Sequence, residues 1–325
     1  MRTPAPLILT VVLAGSAAYL AANPPAAQAP EAPPKDSAPA AAPEKAEAPP
    51  VAPAPAPAAP AEPAKAETVK ADSAAPVWPQ DASDIPADPR ATFGKLPNGL
   101  RYIILPNKEP QHRVSLRIHI ASGALEEADD QQGLAHFLEH MVFNGSKHFK
   151  ADELIPKMQR LGIGFGAHVN AYTSFDETVY MLDLPDLSDA TVDLGFNVLR
   201  DFGDGANLAQ SEIDKERGVI LSEKTSRDSV SFRLMEQQFN ELLSGSLIAK
   251  RFPIGQEEVI KNAQRDRFVD FYTRYYTPER MTFVVVGDID PKAMEARIKD
   301  TFSSMVNPEN PGKNPDLGKI VSPKG

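Results

Sequence analysis

Gly133-Leu134-Ala135-His136-Phe137-Leu138-Glu139-His140-Met141-Val142-Phe143-Asn144-Gly145 is the stretch from which the rest of the chain is read. Apolar residues surround a His-x-x-Glu-His string at His136, Glu139 and His140. Positions four apart on a helix lie one turn above each other. His136 and His140 therefore aim two imidazoles at one spot, which is what a zinc ion needs. Glu139 emerges near the same edge, where it can hold a metal-bound water rather than the metal. Leu134, Phe137, Leu138 and Met141 can bury the rest of the helix and keep bulk water away. The helix is expected from about Gln131 to Phe143, closed by the helix-stop pair Asn144-Gly145.

Such a string arises by chance in roughly one chain in a hundred of this length at average residue frequencies. The plain alternative is a helix with two partly buried histidines and a surface glutamate. A third ligand decides between them, and two downstream stretches offer candidates. The first is a hairpin expected at Ala167–Thr173 and Thr178–Leu184, whose first strand carries His168, Asn170 and Tyr172 on one face. His168 is a candidate, ranked behind the glutamates of the second stretch. There Ser211-Glu212-Ile213-Asp214 reads as a capping box opening a long helix. Glu216 and Glu223 stand two turns apart on it and share a face. Ile213 and Ile220, and farther on Phe232, Met235, Phe239 and Leu242, supply apolar contacts. Two carboxylates beside a buried stripe are costly unless they meet cations. A zinc ion and its histidines would meet them; a solvated acidic edge is the alternative.

Outward from these helices the pattern alternates strands with covering helices. Asn98-Gly99 between Phe93–Leu96 and Leu100–Leu105 marks a hairpin. Val114, Leu116, Ile118 and Ile120 alternate with Arg113, Ser115, Arg117 and His119, a strand with one buried face. His119 falls on the polar face, and His112 and His148 fall in turns, so none is read as a ligand. Gly162-Ile163-Gly164-Phe165-Gly166 lacks the spacing and the Lys-Ser/Thr of a phosphate loop. Further helices are expected at about Ala151–Leu161, Ser188–Phe202, Gln264–Tyr276 and Pro291–Met305. Met281–Gly287 reads as a buried strand. The architecture expected is α+β: a mixed, mainly antiparallel sheet with helices packed on one face.

Composition bounds the remainder. The 325 residues contain no cysteine, so any metal is held by histidines and carboxylates. A formal charge of -10 and the lack of basic runs argue against nucleic acid as a partner. Residues 1–29 read as a signal peptide, with Arg2 before the apolar core Leu7–Ala22; an uncleaved membrane anchor is the alternative. Residues 30–77, almost entirely Ala, Pro, Glu and Lys, read as an extended linker. The catalytic domain is expected over 78–308 and a linker or tail over 309–325. The domain is expected outside the cytoplasmic membrane, periplasmic or extracellular.

Several of these stretches together resemble the pitrilysin/insulinase family of zinc peptidases. They are Leu96 to Tyr102 (Leu-Pro-Asn-Gly-Leu-Arg-Tyr), Gly133 to Met141, Asn170 to Thr173, Glu216 to Glu223, Tyr275 to Met281, and Val285 to Asp288. The resemblance implies one zinc ion on His136, His140 and Glu223, with Glu216 orienting the site from behind. It implies Glu139 as the catalytic base of an endopeptidase acting on peptides or unfolded segments. It puts the Asn170, Ala171 and Tyr172 strand beside the metal as a substrate-binding edge. Family members join two or more related halves around the substrate, and this pattern occurs once here. A second homologous half or partner subunit is therefore expected. The alternatives are a non-catalytic scaffold subunit of the same fold and a zinc hydrolase of a different bond.

Overall fold

The computed structural model describes residues 78–321. The expected signal peptide and linker lie outside them. The described residues divide into Trp78–Ala87, which carries one 3-10 turn at Pro79–Ala82, and a unit that begins at Asp88.

That unit is built on a six-stranded sheet. The strands are β1 (Thr92–Lys95), β2 (Arg101–Pro106), β3 (Val114–Ile120), β4 (Val169–Thr173), β5 (Thr178–Leu184) and β6 (Met281–Gly287). Their spatial order is β1-β2-β6-β3-β5-β4. Only β2 and β6 run parallel; the other neighbours are antiparallel. β1 and β4 are the margins. The mixed, mainly antiparallel sheet of the α+β expectation is thus present.

Alternation decides which face is covered. Val114, Leu116, Ile118 and Ile120 are buried and pair with Leu184, Leu182, Tyr180 and Thr178 on one side. On the other side they pair with Gly287, Val285, Phe283 and Met281. The helix α3 (Asp189–Asp204, after α1 at Leu134–Met141 and α2 at Leu154–Arg160) lies on this face. It seats closely because Gly195 has no side chain: a Cβ there would sit 2.9 Å from Leu116 Cδ1 and 3.1 Å from Leu184 Cδ1. Phe196, Phe283 and Phe302 are buried in mutual ring contact. Each such side chain contributes about 1.5–3 kcal/mol on leaving water. The opposite face carries Ser115 and Arg117, which bond Asp183 at 2.7 and 3.1 Å, and His119, which meets Glu177 at 3.1 Å.

The remaining helices are α4 (Gln210–Arg227), α5 (Val230–Leu242), α6 (Glu257–Asn262), α7 (Arg265–Tyr275) and α8 (Pro291–Phe302). Three boundaries differ from expectation. α1 starts at Leu134 because Gly133 adopts φ 101° and Asp129–Gln131 forms a separate 3-10 turn. α4 begins at Gln210 without a side-chain cap, so Ser211 opens no capping box. The long helix also breaks at Asp228, and Ser229 caps α5 by accepting from Phe232 N at 3.1 Å. Phe232 and Phe239 therefore belong to α5 and pack against Phe252, rather than backing the carboxylates of α4. Finally, the expected tail lies on the domain as far as Val321. Gly312 N donates to Arg274 O at 2.8 Å, Leu247 N to Leu317 O at 2.9 Å and Val321 N to Ser244 O at 2.6 Å.

Candidate metal centre

α1 is short and almost wholly buried. Phe137 packs edge-on against Phe268 of α7 at 4.8 Å, and Leu134, Leu138 and Met141 are fully covered. The helix start is held by Glu127, whose buried carboxylate accepts from Gly133 N at 3.0 Å and Ala135 N at 2.8 Å. It thus replaces the missing N-cap side chain. Arg251 Nε donates to the Glu127 carbonyl at 3.2 Å and fixes that residue in turn.

Burial pushes the Glu127 carboxyl up to about 8, against the pull of the two N–H groups and of Arg251. The native state then binds this proton more tightly than the unfolded chain does. Its stabilising contribution is present below the ordinary 4.5 and is lost as pH rises through about 8. Burial raises Glu126 and Glu139 in the same direction. The melting temperature of metal-free protein is expected to fall across that window. Glu127→Gln is expected to flatten the slope, and an unchanged slope in the variant would contradict the assignment.

α4 crosses α1 with Ile213 and Ile220 buried and its carboxylates turned to the histidines. The His136 and His140 rings lie 5.0 Å apart at 80°. Glu223 spans them: Oε1 is 3.6 Å from His136 Nε2, and Oε2 is 3.5 Å from His140 Nε2. One ligand atom from each residue lies within 4.8 Å of the others. Four donors placed tetrahedrally on bonds of about 2.1 Å stand about 3.4 Å apart, so this donor set fits zinc. Arg227, one turn farther along α4, also pairs with Glu223.

Glu216 stands behind His140. Its Oε1 meets Nδ1 at 2.9 Å, and its Oε2 accepts from Asn144 Nδ2 at 2.9 Å. With Nδ1 donating to Glu216, Nε2 keeps the lone pair that faces the cluster. The His140 bond holds the Glu216 carboxyl below its usual range. Burial works against charge on His140, but the bond to Glu216 and the charges of Glu139 and Glu223 outweigh it and raise the ring. Burial keeps His136 neutral, well below the usual imidazole value. Glu139 is buried beside the cluster and raised by that burial, and its Oε2 accepts from Thr173 Oγ1 at 2.7 Å.

Thr173 is the last residue of β4, so the sheet margin and the cluster are joined by one hydrogen bond. The sequence reading did not single it out. The alternation that places Asn170 and Tyr172 on one face puts Ala171 and Thr173 on the other. Tyr172 accordingly points away from α1 and donates to Glu177 at 3.0 Å. Asn170 is exposed, and its Oδ1 accepts from Ala171 N at 3.0 Å. His168 accepts from Gly164 N at 3.1 Å and stands outside the cluster. Asn144 and Glu127 were missed as well. Asn144 was read only as a helix stop, and nothing local links Glu127 to the helix start.

The family model for Insulinase (Peptidase family M16) matches residues 102–246, and that for Peptidase M16 inactive domain matches residues 262–324. The chain belongs to this family of peptidases. Its relatives include the probable zinc protease PqqL of Haemophilus influenzae, 37% identical over 238 residues, 73% of this chain and 25% of that protein. The chloroplastic stromal processing peptidase of Pisum sativum is 39% identical over 210 residues, 64% of this chain and 16% of that protein. Among solved structures, the first half of the periplasmic protease PqqL from Escherichia coli aligns with a TM-score of 0.69 at 36% identity. It covers 72% of this chain and 50% of that one. The chain thus spans about a quarter of the length of its PqqL relative. The second family match does not mark a second fold here, because β6 and α8 within it complete the sheet and core of the domain that carries His136, His140 and Glu223.

Proposed function

We propose that this chain is the metal-holding part of an exported zinc endopeptidase that cleaves peptides or unfolded protein segments. The observation that carries the reading is the meeting of His136, His140 and Glu223 with Glu139 alongside. One zinc ion per chain would be held by His136 Nε2, His140 Nε2 and Glu223, with Glu216 fixing the His140 ring. Bound there, zinc would supply a Lewis acid able to acidify a water and polarise the scissile carbonyl. Glu139 takes the proton of the attacking water and returns it to the leaving amine. Its raised affinity for a proton suits it to carry one, and Thr173 holds its second oxygen in place.

The margin strand β4 is the substrate's docking edge in this reading. Asp183 N donates to His168 O and Ser174 N to Glu177 O, both at 2.8 Å. Antiparallel ladders alternate, so Asn170 and Tyr172 also bond β5, while the main chain of Ala171 and Thr173 turns outward. A peptide added as a further strand would bond those two residues and lie beside Glu139. Asn170 would act through its side chain, which must release Ala171 N when the peptide arrives.

The likeness to the first half of a periplasmic protease from Escherichia coli supports an exported enzyme with a second half. The test is cleavage of an unstructured fluorogenic peptide by the full chain. One zinc per chain is expected, with cleavage lost to a chelator and restored by zinc. Zinc-loaded protein that cleaves nothing, alone or with its second half, would make it a scaffold subunit instead.

A further inference from the structure

α4 carries two sets of charges with the same spacing. Glu216 and Glu223 turn to the histidines. Each is followed directly by a cation, Arg217 and Lys224, so the cations also stand two turns apart on a shared face. Their main partners are not side chains of the site. Arg217 donates to the carbonyls of Ile260 and Ala263, the latter at 2.9 Å, and it also meets Asp214 at 3.3 Å. Its guanidinium lies 5.9 Å from the centre of the Phe137 ring on α1. Lys224 Nζ donates to Gly255 O at 2.7 Å. Ile260 and Ala263 are at the end of α6, where carbonyls lack helical partners and attract cations.

The same 255–263 segment grips the start of α1. Gln256 N donates to Gln132 O at 3.2 Å. A Cβ on Gly255 would fall 2.2 Å from Gly133 Cα, so the two backbones touch directly. Ile260 packs beside this contact: a Cβ on Gly133 would lie 2.9 Å from Gly255 Cα and 3.2 Å from Ile260 Cδ1. Lys224, Gly255, Gly133 and the first turn of α1 form a continuous path between the two ligand-bearing helices. It contains no flexible side chain except Lys224 itself.

We propose that Lys224 and Arg217 are positioning residues for the metal centre: by fastening α4 to the segment that holds the start of α1, they set the span between Glu223 and the two histidines. The proposal rests on the metal-centre reading above. Groups that orient a metal ligand from behind alter affinity by about 10- to 100-fold when removed.

The test measures zinc affinity of the full chain by competition with a chromophoric chelator, together with melting of the metal-free protein. Lys224→Met is expected to weaken zinc binding about tenfold while metal-free melting stays near that of the wild type. Lys224→Arg, which keeps a donor, is expected to restore most of the loss. Lys215→Met, on the exposed side of α4 where Lys215 meets Glu212, is expected to change nothing. Lys224→Met and Arg217→Met variants that bind zinc within about twofold of the wild type overturn the proposal. So does a loss of affinity matched by an equal loss of metal-free stability, because that would mark an ordinary structural contact. A wild-type chain that binds no zinc overturns the metal-centre reading and this proposal together.

Discussion

Glu139→Gln is expected to lower peptide cleavage about a thousandfold while zinc remains bound. The magnitude follows from what a positioned acid–base group contributes, about 10²–10⁴-fold. Zinc should stay because the converging ligand atoms belong to His136, His140 and Glu223. The fold should stay because glutamine keeps the shape and can still accept from Thr173, now bonded at 2.7 Å. Removing a buried carboxylate whose charge is disfavoured by its surroundings should, if anything, stabilise the metal-free protein. Zinc content, melting and turnover measured on one preparation make the check. Cleavage at a tenth of the wild-type rate or better would remove Glu139 from the chemistry.

Exchanging the two glutamates of α4 for glutamine, one at a time, is expected to separate their roles. Glu223→Gln should weaken zinc binding by more than about a hundredfold, beyond the range of groups that act from behind a ligand. Glu216→Gln should weaken it by about 10- to 100-fold, through a His140 ring no longer fixed at Nδ1. The order is the decisive result. If Glu216→Gln releases zinc more completely than Glu223→Gln, the two assignments are reversed and the geometry at His136 has been misread.

The site was legible in the sequence to the extent that its parts are local. His136, Glu139 and His140 lie within one helical turn and a half, and Glu216 and Glu223 within two turns, so periodicity alone aims each set. What periodicity does not give is the partner across the fold. Thr173 reaches Glu139 only because the β4–β5 register places the strand's end beneath α1. Glu127 caps α1 after the chain has doubled back through a 3-10 turn. Lys224 finds its carbonyl on a turn more than thirty residues away.

The sheet was legible for the same reason as the helices: β3 alternates strictly, and β6 is continuously apolar. The helix opening near Ser211 was expected to draw on Phe232, Met235, Phe239 and Leu242, because apolar positions continue past Asp228, where the helix in fact ends. The signal for the break was a single serine at position 229, which a capping hydrogen bond makes decisive and a hydrophobic pattern ignores.

If β4 is the docking edge proposed above, the outward main chain of Ala171 and Thr173 limits which polypeptides could be cut. A guest must present bare amides along one side for several residues. A helix has already turned those amides upon itself, and an interior strand is flanked on both sides. Compact proteins would therefore be spared wherever their chains are fully engaged, whatever residues they display. Frayed ends, stretched loops and chains not yet folded would be the material within reach.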